Sequence, residues 1–152
     1  MLGLTGVAWY LMQFGKLNPK EFNHLVNHKS GLLGLSGTSS DMRELIEVED
    51  TNGNAKDAIA LFCYQTKKWI GSFAAVLCGL DTLVFSGGIG EHSPEVRSKI
   101  CDGLEFLGIE LDEIKNMNNE AIISTEASKV TVRVIKTNEE VMIARLVNDV
   151  SN

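Results

Sequence analysis

The sequence predicts an α/β fold with a short, mostly parallel sheet packed with helices. Three observations predict it. Thr82-Leu83-Val84-Phe85 is a short apolar run behind a glycine stop at Gly79, and it reads as a buried strand. Val130 to Lys136 alternates in side-chain character, with Val130, Val132, Val134 and Lys136 on one side and Thr131, Arg133 and Ile135 on the other. Each run leads straight into a helix-start signal, and strands alternating with helices make parallel sheets.

The elements follow in order. Gly6 to Phe14 reads as a helix that Gly15 ends. Asn18 is an N-cap with Pro19 at the first helical position, opening a second helix to about His28. Lys29 to Gly37 is rich in glycine and serine and reads as a loop, with room for one short strand. Ser39-Ser40-Asp41 starts a short helix at Met42, and Asp50 to Asn54 is a turn cluster. Ala55 to Gly79 is the strongest helix, roughly 37 Å long at 1.5 Å per residue. Its apolar residues Ile59, Phe62, Trp69, Phe73 and Val76 occupy more than one face, which predicts burial between two layers. Ser93 as N-cap and Pro94 at the first position open a helix ending near Gly103 or Gly108. Ile109 to Leu111 and Ala121 to Ser124 are candidate short strands, with a turn from Asn116 to Glu120. Thr137 and Glu140 have the spacing of a capping box for a last helix reaching about Val150.

Bulk properties narrow the function classes. The chain has 152 residues, 44% hydrophobic and 22% charged, in the range of a single globular domain. Two prolines and no low-complexity run argue against long disordered segments. A net charge of −6 with no basic stripe beyond the Lys67-Lys68 pair argues against general nucleic-acid binding. The cysteines Cys63, Cys78 and Cys101 form no CxxC pair and read as reduced thiols of a cytosolic protein. The amino terminus lacks the basic region of a signal peptide. The longest apolar run, Trp69 to Leu80, falls short of the about 20 residues a membrane span needs.

Three segments carry candidate chemistry. The stretch Phe85 to Pro94 joins a strand to a helix, and Gly87, Gly88 and Gly90 permit positive φ and close approach of a flat ligand to the backbone. It is neither a P-loop nor a GxGxxG fingerprint, and by its local residues alone a plain tight strand-to-helix turn is the favoured reading. Ser36 to Arg43 gathers hydroxyls, a carboxylate and a guanidinium at a helix start. Asp41 suits a ribose hydroxyl or base amine and Arg43 suits base stacking, beside the plain reading of an N-cap and a surface arginine. Thr137-Asn138-Glu139-Glu140 leaves Glu139 free to reach outward. A carboxylate at a strand's carboxyl end suits Mg²⁺, beside the plain reading of acid-rich capping. His24 and His28 stand four apart without HExxH or a third ligand, and read as solvent-facing. No Ser-His-Asp set or cysteine nucleophile is recognisable.

Taken together, these stretches resemble one family. Ser30 to Gly37, Ser39-Ser40-Asp41-Met42-Arg43, Val84 to Glu91, Ser93-Pro94-Glu95-Val96-Arg97 and Thr137-Asn138-Glu139-Glu140 match acetate kinases in order and at their spacing, over about Val7 to Val150. The resemblance implies an incomplete ribonuclease H-like domain of the actin, Hsp70 and sugar-kinase type, with residues 1–152 forming a C-terminal nucleotide-binding portion. It implies interconversion of ATP plus acetate with ADP plus acetyl phosphate, Mg²⁺ as cofactor, a cytoplasmic location and a homodimer, with neither membrane nor nucleic acid as partner. In such enzymes the segments matching Asp41, Met42 and Arg43, and Gly87, Gly88, Ile89, Gly90, Glu91 and His92, hold the adenosine. Glu139 stands where the family helps hold the metal. Asp41, Gly88 and Glu139 are thus expected to share one pocket.

Two departures stand out. His92 replaces the family's usual Asn, which alters size and charge beside the base. The family protein is more than twice as long, and the absent part carries the N-terminal domain, the first strands of this domain and the groups that bind acetate and steady the phosphoryl group. Met1 to Thr5 also differs from the family's lead-in. The chain is therefore expected to be a truncated frame or fragment with no catalytic residues of its own, inactive alone and self-associating through open sheet edges. A non-catalytic remnant and a part of a propionate or butyrate kinase are the competing readings.

Overall fold

The computed structural model describes residues 2–138, 140, 141, 143, 147 and 148. The chain folds as two compact units, Met1–Phe62 and Cys63–Asn152. The first holds α1 (Leu2–Gln13), α2 (Pro19–His28), α3 (Gly31–Ser36), α4 (Met42–Val48) and the start of α5 (Gly53–Val76). The second holds the rest of α5, β1 (Thr82–Phe85), α6 (Gly87–His92), α7 (Pro94–Cys101), a 3-10 turn (Glu105–Leu107), α8 (Glu113–Met117) and β2 (Thr131–Val134).

Capping explains the starts in the first unit. The Asn18 Oδ1 accepts from the amides of Lys20 and Glu21, and the Glu21 carboxylate accepts from the Asn18 amide, a complete capping box. Asn52 Oδ1 accepts from the Ala55 amide and starts α5. Met42, Leu45, Ala55, Ala58 and Ile59 are buried. Full burial of an aliphatic side chain of the Leu45 or Ile59 kind contributes about 1.5–3 kcal/mol.

In the second unit β1 and β2 pair in parallel, Thr82 with Thr131 through Phe85 with Val134. A parallel pair needs a long crossover, and α6, α7 and α8 lie within it. The segment after α8 adds antiparallel bridges, Ile122 to Arg133 and Leu111 to Ser124. The Ile123 amide donates to the Val132 carbonyl and the Val134 amide to the Ala121 carbonyl. Phe85, Val96, Ile100, Leu104, Ile109, Ile123, Val130, Val132 and Val134 form the core.

Several expectations need correction. Lys29 to Gly37 is not an extended loop, because Gly31–Ser36 is helical, with Gly37 as a left-handed C-cap at φ +68°. Glycine and serine there sit at the ends of a short helix rather than outside one. The Gly87 to Gly90 stretch is likewise helical, and the turn itself is confined to Ser86 and Gly87. The Asn116 to Glu120 turn begins as the last residues of α8. Ser93 precedes α7 but makes no side-chain cap bond. The α5 helix is not sandwiched: Tyr64, Trp69, Phe73, Val76 and Leu77 are exposed, Trp69 by 57% and Phe73 by 60%. The capping box of Thr137 and Glu140 gives way to Asn138, whose Oδ1 accepts from the Val141 amide at 3.0 Å. The positions of the last helix that are described, 140, 141, 143, 147 and 148, are helical.

The three cysteines are free, with Cys63 and Cys101 buried and Cys78 exposed. Burial, aided by the nearby Glu113 carboxylate, pushes the Cys101 thiol up to about 12. Thiolate is the reactive form. Mass-spectrometric footprinting with a maleimide at neutral pH is expected to label Cys78 and leave Cys101 unmodified until denaturant is added.

Candidate functional site

The carboxyl ends of β1 and β2 lie side by side, and the chain leaves both in the same direction. Parallel α/β sheets bind ligands at such ends. After β1, Gly87 takes φ +71°, a conformation open to glycine and strained for other residues. A Cβ on Gly90 would stand 3.2 Å from the Phe85 carbonyl carbon, so α6 packs tightly on the end of its own strand. A Cβ on Gly88 would meet open space, and Gly88 is exposed, so its backbone is accessible. His92 is exposed at the other end of α6.

Glu91, within this helix, turns inward and is 8% exposed. Its Oε1 accepts from the Gly87 amide at 2.9 Å, the Thr137 amide at 2.8 Å and the Thr137 hydroxyl at 2.8 Å. One carboxylate oxygen thereby ties the turn after β1 to the turn after β2. The Thr137 amide, then its hydroxyl, hold the carboxyl below its usual range, against the opposing effect of burial.

A second charged group holds the far end of α6. Arg97 of α7 is 0% exposed. Its Nη1 donates to the Gly90 carbonyl at 2.9 Å, its Nε to Asn116 Oδ1 at 2.8 Å, and its Nη2 to the Asn116 carbonyl and Asn119 Oδ1, each at 2.7 Å. Asn116 completes the network by donating to the Pro94 carbonyl at 3.0 Å and the Ser98 hydroxyl at 2.8 Å. Burial lowers the guanidinium's pKa, yet arginine stays charged in proteins, so the cost is met by neutral acceptors arranged around it.

In the first unit, Asp41 caps α4. Its Oδ1 accepts from the Arg43 amide at 2.8 Å, and its Oδ2 pairs with Arg43 Nη2 at 3.0 Å. That side-chain pairing, followed by the amide bond, lowers the Asp41 pKa, and the same side-chain pairing raises that of Arg43. The exposed pair is worth little energetically. Met42 is 3% exposed and serves the core. Ser36 Oγ accepts from the amides of Thr38 and Ser39, each at 3.2 Å, and Ser39 Oγ accepts from the Asp41 amide at 2.9 Å. The Ser39 hydroxyl also bonds to the Glu44 carboxylate. The serine-rich stretch thus stiffens the approach to α4.

Glu139, named from sequence as the metal-side carboxylate, lies outside the described residues. Among the described residues no three His, Cys, Asp or Glu side chains are grouped to hold a metal. His24 and His28 are exposed, with ring centroids 5.0 Å apart. Sequence reasoning missed Thr137 as the partner of Glu91, and it gave Arg97 and the asparagines 116 and 119 no role. The Ser-Pro-Glu-Val-Arg motif held the only signal for Arg97.

Residues 5–145 match the Acetokinase family. The chain belongs to the acetokinase family. It is 50% identical to the acetate kinase of Thermoanaerobacterium thermosaccharolyticum over 140 residues, covering 90% of this chain and 35% of that one. It is 48% identical to the acetate kinase of Phocaeicola vulgatus, covering 92% and 36%. Among solved structures, Porphyromonas gingivalis acetate kinase matches with a TM-score of 0.87 at 40% identity, over 97% of this chain and 38% of that one. A propionate kinase from Francisella tularensis matches with a TM-score of 0.81 at 37% identity, over 92% and 36%. This acetokinase-family chain spans about a third of the length of the curated relatives it matches.

Two outcomes follow for the two inward charges. Arg97→Met strips four hydrogen bonds from a buried network, and urea denaturation is expected to show a loss of roughly 3 kcal/mol. Glu91 has a lowered folded-state pKa, so its contribution is present above the ordinary carboxylate range and lost as pH falls through the lowered value. Thermal melts of wild type and Glu91→Gln are expected to differ most at neutral pH and to converge as the pH falls through the lowered value.

Proposed function

We propose that this chain supplies the adenine-nucleotide-binding part of a kinase that converts ATP and acetate into ADP and acetyl phosphate. The observation that carries this reading is the pair of turns at the carboxyl ends of β1 and β2, joined through Glu91, with the exposed backbone of Gly88 beside them. Gly87, Gly88, Ile89 and Gly90 offer backbone to the adenosine, and His92 offers an imidazole where a base edge needs a partner. In the first unit, Asp41 accepts from a ribose hydroxyl or base amine and Arg43 stacks on a base, both in exchange for their mutual ion pair. Met42 fixes the first turn of α4 from beneath.

The chemistry of the residues after β2 suits Mg²⁺. The Thr137 hydroxyl donates to Glu91 and Asn138 Oδ1 accepts from the Val141 amide, and the carboxylate proposed for the metal is that of Glu139 in the Asn-Glu-Glu segment. Mg²⁺ takes one or two carboxylates along with phosphate oxygens and waters. When bound it neutralises charge on the phosphates.

Phosphoryl transfer depends on positioning and on charge stabilisation around the transferred group. The groups for acetate and for the transferring phosphoryl are assigned to the part of the family's length that this chain does not span, so the chain alone binds nucleotide without turnover. The acyl group is selected by that unspanned part, so a part of a propionate or butyrate kinase is the alternative within the same family. The working form is a cytoplasmic homodimer.

A second reading, of a non-catalytic remnant that only folds and self-associates, is favoured by the exposed apolar side chains of Tyr64, Trp69, Phe73 and Val76 on α5. Calorimetric titration of the 152-residue chain with ADP and Mg²⁺ separates the two. Saturable heat is expected, with no acetyl phosphate formed from ATP and acetate in a hydroxamate assay. A flat titration overturns the nucleotide reading in favour of the remnant, and robust turnover overturns the assignment of the chemistry to the unspanned part.

A further inference from the structure

We propose that Glu91 and Thr137 are positioning residues for the nucleotide turn: a clamp, built from one carboxylate oxygen and one threonine, that sets the conformation in which Gly87–Gly90 meets adenosine. The inference rests on the nucleotide reading above and adds to it a residue, Thr137, and a role for Glu91 other than direct contact.

Three observations converge. A carboxylate oxygen has about two lone-pair directions, and here a single one receives three donors from two turns far apart in sequence. Bonds to a charged acceptor are the strong ones, and this acceptor is nearly buried. Next, the Thr137 hydroxyl donates to Glu91, while the Asn138 Oδ1 accepts from the Val141 amide in the helix that follows. Finally, the turn has little freedom elsewhere. Gly87 sits in the left-handed region, and Gly90 lies against the backbone of Phe85. Arg97 holds the Gly90 carbonyl. The Cβ directions of Gly87 and Gly88 face open space. With the clamp released, the first turn of α6 loses the acceptor for the Gly87 amide, and the open backbone face no longer has one fixed shape.

The clamp also joins the turn to the segment that leads into Glu139, two residues after Thr137. The turn after β1 and the turn after β2 are therefore linked through the Thr137 amide and hydroxyl together.

The test uses the 152-residue chain with ADP and MgCl₂. Thr137→Val keeps shape and amide but removes the hydroxyl, and Thr137→Ser restores it. Calorimetry is expected to show ADP affinity reduced about tenfold in Thr137→Val and within about twofold of wild type in Thr137→Ser. Amide hydrogen exchange, read in the same samples without ligand, is expected to speed up at Gly87 in Thr137→Val, while the Thr131 amide, bonded to the Asp81 carbonyl, keeps its protection and so reports an intact pairing of β1 with β2. Wild-type affinity in Thr137→Val, or a Thr137→Ser variant as weak as the valine one, overturns the inference. If the wild-type chain takes up no ADP, the nucleotide reading fails instead. The exchange at Gly87 then decides the clamp, and unchanged exchange removes it.

Discussion

The second unit depends on charge turned inward at one short helix. α6 has six residues, too few to be stable from its own backbone bonds. It is held because Glu91 reaches back to its first amide and across to Thr137, and because Arg97 reaches up to its Gly90 carbonyl. A buried carboxylate or guanidinium is costly unless its hydrogen-bonding capacity is filled. Here each has several partners, and no buried side-chain nitrogen or oxygen among the described residues lacks one. The packed strands supply the platform, and the two charges fix what stands on it.

That division separates what composition specifies from what single residues specify. Buried aliphatic residues along β2 and the partly buried face of α7 would tolerate exchange for others of similar size. Glu91, Thr137, Arg97 and Asn116 have no such equivalents, because each satisfies partners on a different element. The same contrast marks the first unit, where Asp41 and Arg43 are exposed and paired with each other while Met42 beneath them is buried. The polar pair is available to exchange partners; the methionine is not.

Much of this architecture was legible in the sequence. Both strands were found from apolar runs and period-two alternation, and Asn18 with Pro19 marked the start of α2 where it lies. Asp41 was recognised as a helix start, and its cap bond to Arg43 bears that out. What was not legible has physical causes. Glycine-rich stretches at Gly31–Ser36 and Gly87–His92 read as loops because glycine is a poor helix former, yet neighbouring elements hold these helices in place. The apolar faces of α5 predicted burial, but periodicity records only that a face is apolar, not that something covers it. The bonds from Thr137 to Glu91 and from Arg97 to Asn116 span 46 and 19 residues, and no local pattern encodes such pairings. For the same reason the motif resemblance located the candidate residues while leaving open which of them face a ligand and which face each other.

The parallel pairing of β1 with β2 carries a kinetic consequence. Thr82 meets Thr131, about fifty residues further along the chain, so the loop between them must close before the ladder gains anything, and contacts this distant in sequence form slowly. Local helices such as α2 and α5 need no such closure. Glu91 and Thr137 can meet only after β1 and β2 have found their register. The segment proposed to receive nucleotide is therefore among the last parts of the molecule to acquire its native form on refolding.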